Sequence, residues 1–154
     1  MKLRISAIFA MICFMAASVA AQMLPQFSTE AAPAWYFVQF NKDSHTLADK
    51  GNGQVLRTAN KSSVDAQKWQ LIGTEKSFIM KSKAGNYVTY NGSRYASTNS
   101  AASATALTLS QGASGCWSIS RTTATGTGMN QWGGTSVNAE IGDYDVLDVN
   151  NALH

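Results

Sequence analysis

The sequence predicts an all-β barrel assembled from three four-stranded repeats. Three observations carry this. Beyond residue 21 the chain is a series of short runs rich in aromatic and β-branched residues, each bounded by turn clusters of Gly, Asn, Asp, Ser and Lys, the composition of short strands. These runs fall into three groups of similar length, over 35–73, 74–121 and 122–154, and a fixed recurrence is the mark of repeat architecture. No stretch past residue 21 sustains a 3.6-residue apolar period, so helix should be scarce.

The elements follow in chain order. MKLRISAIFAMICFMAASVAA places Lys2 and Arg4 before an apolar run from Ile5 to Val19 and ends on small residues, the layout of a secretory signal peptide. The run is short for a bilayer span and no basic stop-transfer cluster follows, so residues 1–21 are read as a signal cleaved after Ala21, and the protein as secreted, periplasmic or on the cell surface. Residues 22–34 hold both prolines and little pattern and are read as a linker.

The first group contains WYFVQF, HTLAD, QVLRT and QKWQLI; the second SFIMK, NYVTY, SRYAS and ALTLS; the third CWSIS, GMNQW, NAEIG and ALH. Asn91-Gly92 between NYVTY and SRYAS suits a type I′ hairpin turn, which needs positive φ at both central residues. A unit of this size cannot bury its own apolar face, so three must share one core. Closure into a barrel also removes exposed sheet edges. The final run, ALH, is short for a closing strand: either that strand is very short or the native chain continues, into a catalytic domain for example.

Composition narrows the function. The 154-residue chain has a formal charge of +3 from twelve basic and nine acidic side chains. Losing Lys2 and Arg4 with the signal leaves ten basic against nine, and the lysines are dispersed. A nucleic-acid binder normally concentrates a basic face, so nucleic acid is not the expected partner. Of the two cysteines, Cys13 goes with the signal, and Cys116 alone cannot form an intramolecular disulfide despite export. The remaining residues suffice for one buried core and one domain, over 35–154.

VDAQKWQL, with Gln67, Lys68 and Trp69, resembles the Gln-x-Trp signature of ricin-type β-trefoil lectin domains. It is preceded by the turn Leu47-x-Asp49-x-Gly51. The third group repeats the signature weakly as Asn151, Ala152 and Leu153; the second has lost it. WYFVQF, the GNG turn, NQWGG and the closing Asp-x-Asn-Asn-x-Leu also look like trefoil modules of secreted bacterial glycosidases and surface proteins. The resemblance implies a β-trefoil, with Trp69 in the shared core and Gln67 bonded to backbone.

It also implies where sugars bind. In these lectins each lobe uses an acidic residue near its second strand, a polar side chain and an aromatic on or after the third, and an Asn before the signature Gln. A pyranose needs a ring to stack on and fixed polar groups for its hydroxyls. Lobe one has Asp49, but Val55, Arg57 and Ala66 stand at the other positions. Lobe two offers Tyr87, Tyr90 and Tyr95 with no carboxylate between Glu75 and Glu140, and strand alternation must turn some of those rings inward. Lobe three keeps most: Gln131 near the acidic position, Tyr144 at the aromatic one, Asn150 before the degenerate signature, and Trp132 and Asp143 close enough in sequence to complete a shallow pocket. Trp132 could equally cap the barrel while the polar residues make turns.

Sharper chemistries fit less well. Glu140, Asp143, Asp145 and Asp148 could supply a glycosidase's two carboxylates, but nothing marks a deep cleft to raise one pKa. Asp143-x-Asp145-x-x-Asp148 lacks the spacing and the turn glycine of a calcium loop. His45 and His154 are far apart in sequence, and no zinc site, nucleophilic triad or cofactor motif is present. The expectation is therefore a non-enzymatic carbohydrate-binding module with glycan or polysaccharide partners. The alternative is a degenerate trefoil acting as a protein-docking, spacer or inhibitor module beside a catalytic domain.

Overall fold

The computed structural model describes residues 24–148. The predicted signal peptide, Asn150 and the ALH strand lie outside the described residues. Among the described residues ten strands alternate with turns: β1 (Thr46–Ala48), β2 (Arg57–Ala59), β3 (Trp69–Thr74), β4 (Ser77–Ser82), β5 (Tyr87–Tyr90), β6 (Tyr95–Thr98), β7 (Leu107–Gln111), β8 (Trp117–Arg121), β9 (Thr127–Trp132) and β10 (Glu140–Asp145). The only helical stretches described are three single 3-10 turns.

The pairings show the threefold repeat. The fourth strand of one lobe forms an antiparallel hairpin with the first of the next, β3 with β4 and β7 with β8. The two middle strands of each lobe form a second hairpin: β1–β2, β5–β6 and β9–β10. These three middle hairpins then meet pairwise in a closed ring. Val55 bridges Ala96, Arg94 bridges Gly142, and Glu140 pairs with Arg57. Leu56 lies inside that ring, fully buried. Its N–H donates to Tyr95 O at 2.9 Å, and its carbonyl accepts from Ile141 N–H at 3.1 Å.

Alternation along the strands explains the core. On β4, Phe78, Met80 and Ser82 turn inward while Ser77, Ile79 and Lys81 face out, the period of two expected of a half-buried strand. Trp69, Leu107, Val88 and Ile141 are all fully buried, so each lobe sends apolar side chains to one cluster. Leu107 stands where lobe one has Trp69. Lys68 O accepts from Lys83 N–H just past β4, and Ala106 O accepts from Thr122 N–H just past β8. The same joint is thus built with and without the Gln-x-Trp signature.

Three sequence expectations change. WYFVQF is not a continuous strand: Tyr36 bridges Trp69 and Gln39 bridges Thr46, so its partner switches midway while Val38 and Phe40 stay buried. Asn91-Gly92 does not make a two-residue type I′ turn. Tyr90 pairs with Tyr95 across a four-residue loop, only Gly92 of the pair has positive φ (94°), and Asn91 Oδ1 instead accepts the N–H groups of Ser93 and Arg94 at 3.0 and 2.8 Å. The described part of the segment read as a linker is docked on the barrel. Phe27 packs edge-on to Phe78 with centroids 5.3 Å apart, Ser28 pairs in parallel with Ile72, and Glu30 accepts from Lys81 and Tyr87. Leu24 and Phe27, scattered without periodicity, carry no sign of this docking in the sequence.

Candidate functional site

The β9–β10 hairpin carries the site. Its register sets Trp132 opposite Glu140, Asn130 opposite Gly142 and Gly128 opposite Tyr144. Pleating therefore brings Trp132, Gly142 and Tyr144 to one face. Trp132 is 46% exposed and Tyr144 54%, in a protein whose other tryptophans and tyrosines are buried or half-buried. Gly142 makes room for the indole: a Cβ there would lie 3.0 Å from Trp132 Cε3. A larger residue would push the ring off the hairpin.

Beyond β9 the chain turns at Gly133 and Gly134, with φ of 82° and 118°, a left-handed course that glycine adopts without strain. The turn folds back to leave a shallow cleft of about 450 Å³ lined by Gln131, Trp132, Gly133, Gly134, Tyr144 and Asp148. That volume lies within the range of small-ligand clefts. Two aromatic walls and a carboxylate can together stack a ring and bond polar groups at its rim.

The structure thus brings Trp132 and Tyr144 to one cleft; Gln131 lies at its edge but, opposite Ile141 on the face away from Trp132 and only 5% exposed, it turns inward, and Asp143 is left out of the cleft. Asp143 follows Gly142 on β10 and points to the opposite face from Tyr144. Its carboxylate accepts from Tyr95 Oη at 2.6 Å and Arg121 Nε at 3.0 Å, and from Arg121 Nη2. The Tyr95 phenol is pushed far above its ordinary value, by burial first and then by the Asp143 carboxylate, so it remains a proton donor. Asp143 is a buttress between lobes two and three. Its place in the cleft is taken by Asp148, which the sequence offered only as one acid among four. Asn150 lies outside the described residues.

The other lobes direct their polar groups inward. Asp49 is only 6% exposed and accepts four hydrogen bonds: from Ser82 Oγ and Ser97 Oγ at 2.6 Å each, Asn86 Nδ2 at 2.9 Å and Gly51 N–H at 2.8 Å. Burial alone would raise its pKa, but these hydrogen bonds outweigh burial and hold the carboxyl below the ordinary aspartate value. In lobe two Tyr95 is fully buried and Tyr87 nearly so. Tyr90 is committed to Tyr95, edge-on at 5.2 Å, and to the Arg121 guanidinium, 4.0 Å from its ring centroid. Neither lobe presents an aromatic wall like that of lobe three.

Gln67 and Trp69 are interior residues. Gln67 accepts from Thr46 Oγ1 at 2.9 Å and Ser62 N–H at 2.8 Å, and donates to Asn60 O at 2.9 Å. Trp69 is fully buried, with Nε1 donating to Leu47 O at 3.0 Å. Of the acids, Glu140 is paired with Arg57 and Arg94 and Asp145 Oδ1 accepts Leu147 N–H. Among the described residues no cluster of three or more His, Cys, Asp or Glu is placed to hold a metal ion, and no helix is long and apolar enough to cross a membrane.

No protein-family model and no curated protein sequence matches the chain. Solved structures do. A designed threefold-symmetric protein, ThreeFoil, superposes with a TM-score of 0.67 at 13% identity, over 77% of this chain and 94% of that one. The Macrolepiota procera ricin B-like lectin, solved with lactose, gives 0.67 at 14% identity, over 84% and 96%. The C-half of an earthworm R-type lectin, solved with GalNAc, gives 0.64 at 11% identity, over 79% and 97%. At such identities the likeness establishes architecture, and with the closed ring of three hairpins it gives the chain the β-trefoil fold.

Proposed function

We propose that this protein is an exported, non-catalytic carbohydrate-binding module whose working cleft is the one on lobe three. The observation that carries this is the pair of exposed rings, Trp132 and Tyr144, facing one cleft with Asp148. Such a wall suits the apolar face of a pyranose, and the carboxylate at its edge suits the hydroxyl rim. Structural neighbours of the same fold are described in complex with lactose and with GalNAc, which supports a saccharide as the ligand class here. The non-catalytic reading is supported by Glu140 and Asp143, each tied to arginine and so poorly suited to proton transfer. Export is supported by the signal-like residues 1–21.

A shallow cleft desolvates little, so affinity for a single sugar should be weak, with Kd on the order of 0.1–1 mM. A glycan array followed by calorimetric titration with the oligosaccharides it selects tests the proposal. Tyr144→Ala should weaken binding at least tenfold while leaving the thermal midpoint within a degree or two, because the ring is largely in solvent. If no saccharide is retained and Tyr144→Ala alters no measured interaction, the lectin reading is lost and docking to a protein takes its place.

A further inference from the structure

We infer that Arg94, a residue of lobe two, is a positioning residue for the saccharide cleft of lobe three, clamping the Trp132 indole so that one face is held and the other is left for the ligand. The inference rests on the saccharide reading of that cleft and adds how its stacking wall is kept in place. Arg94 Cζ lies 4.0 Å from the Trp132 ring centroid, the stacked cation–π arrangement that a planar guanidinium favours. Arg94 is itself fixed. Its Nε donates to Glu140 Oε2 at 3.0 Å, and its Nη1 to Ser93 O at 3.0 Å and Ser93 Oγ at 2.9 Å. Glu140 is fixed in turn from lobe one, where Arg57 Nη2 donates to Oε1 at 2.9 Å and Arg57 Nη1 anchors on Asn138 O at 2.9 Å. The chain Arg57–Glu140–Arg94–Trp132 therefore draws on all three lobes and follows the backbone ring, where Glu140 pairs with Arg57 and Arg94 with Gly142.

Two consequences follow. An indole that is 46% exposed on a hairpin end would otherwise sample several rotamers, and ordering it on binding would cost affinity; the clamp meets that cost during folding. The guanidinium also commits one ring face, so the ligand can stack on one side only. A single pyranose ring laid on the open face fits this geometry; a sugar sandwiched against the held face does not.

The test uses the mature protein with 15N-labelled indoles. In Arg94→Ala the heteronuclear NOE of the Trp132 indole N–H should fall, with the signals of Trp35, Trp69 and Trp117 unchanged, and affinity for an array-selected oligosaccharide should drop about three- to tenfold. Arg94→Lys keeps the charge but lacks the planar stack and the Nε bond, so it should behave as Arg94→Ala does. Glu140→Gln, which leaves Arg94 in place but weakens its anchor, should give an intermediate loss, and it serves if Arg94→Ala folds poorly. Unchanged Trp132 order in both Arg94→Ala and Glu140→Gln, or full affinity in Arg94→Ala, overturns the inference. A wild-type protein that binds no saccharide counts against the reading of the cleft, and the indole order then decides the clamp separately.

Discussion

Asp49→Ala should lower stability by about 3–4 kcal/mol, measured by urea unfolding, although no surface of the proposed cleft is touched. The carboxylate joins lobe one to lobe two by accepting from Ser82, Ser97 and Asn86, and it closes its own turn through Gly51 N–H. Ser82 and Ser97 are essentially fully buried, so alanine would leave two hydroxyls with no water to replace the lost acceptor. A buried group orphaned in this way costs about 1–3 kcal/mol, and some rotation of the hydroxyls keeps the total below the simple sum. Gly51 sits at φ 100°, so the turn itself depends on glycine at this point.

The same carboxylate gives a pH signature. Its folded-state pKa is depressed, so the unfolded chain takes up the proton first as pH falls. The stabilisation is complete above the ordinary aspartate pKa near 4 and is lost as pH drops through the lower folded value. Asp49→Asn should therefore be clearly less stable than the wild type at pH 7, with the gap narrowing below about pH 4. A gap that stays constant down to pH 2 would show that ionisation of Asp49 contributes nothing.

Trp69→Ala should cost about 3–5 kcal/mol, the largest loss expected from an apolar site. The side chain is fully buried in the shared cluster, its Nε1 is the donor to Leu47 O, and its backbone exchanges two 2.8 Å hydrogen bonds with Tyr36. Truncation removes the packing, opens a cavity and strips the Leu47 carbonyl of its partner. Trp69→Leu should lose roughly half as much by the same cavity logic, since Leu107 fills the matching position in lobe two. Equal loss in both variants would mean that the indole N–H, not ring volume, dominates.

The strands were legible because aromatic and β-branched runs sit between turn clusters, and β4, β9 and β10 overlap the runs so marked. WYFVQF has the same composition, yet its backbone changes partners midway, which depends on how lobe one meets its neighbours and leaves no trace in local sequence. In the site, Trp132 and Tyr144 were readable as aromatics beside glycines and amides. Proximity in sequence misleads for Asp143 and Gln131: a residue adjacent to Tyr144 or Trp132 on a strand must face the other way. Arg94 was not readable at all. Its contact with Trp132 spans lobes two and three and exists only because the three hairpins close on one another.

The central claim is that a saccharide lies against Trp132 and Tyr144, and an NMR titration of the labelled protein with an array-selected oligosaccharide tests it most directly. The largest shift changes should fall on the Trp132 indole N–H, the amides of Gly133 and Gly134, and the Tyr144 ring. Saturable changes centred instead on Asp49, Tyr87 or the docked segment from Gln26 to Glu30, with lobe three silent, would contradict it.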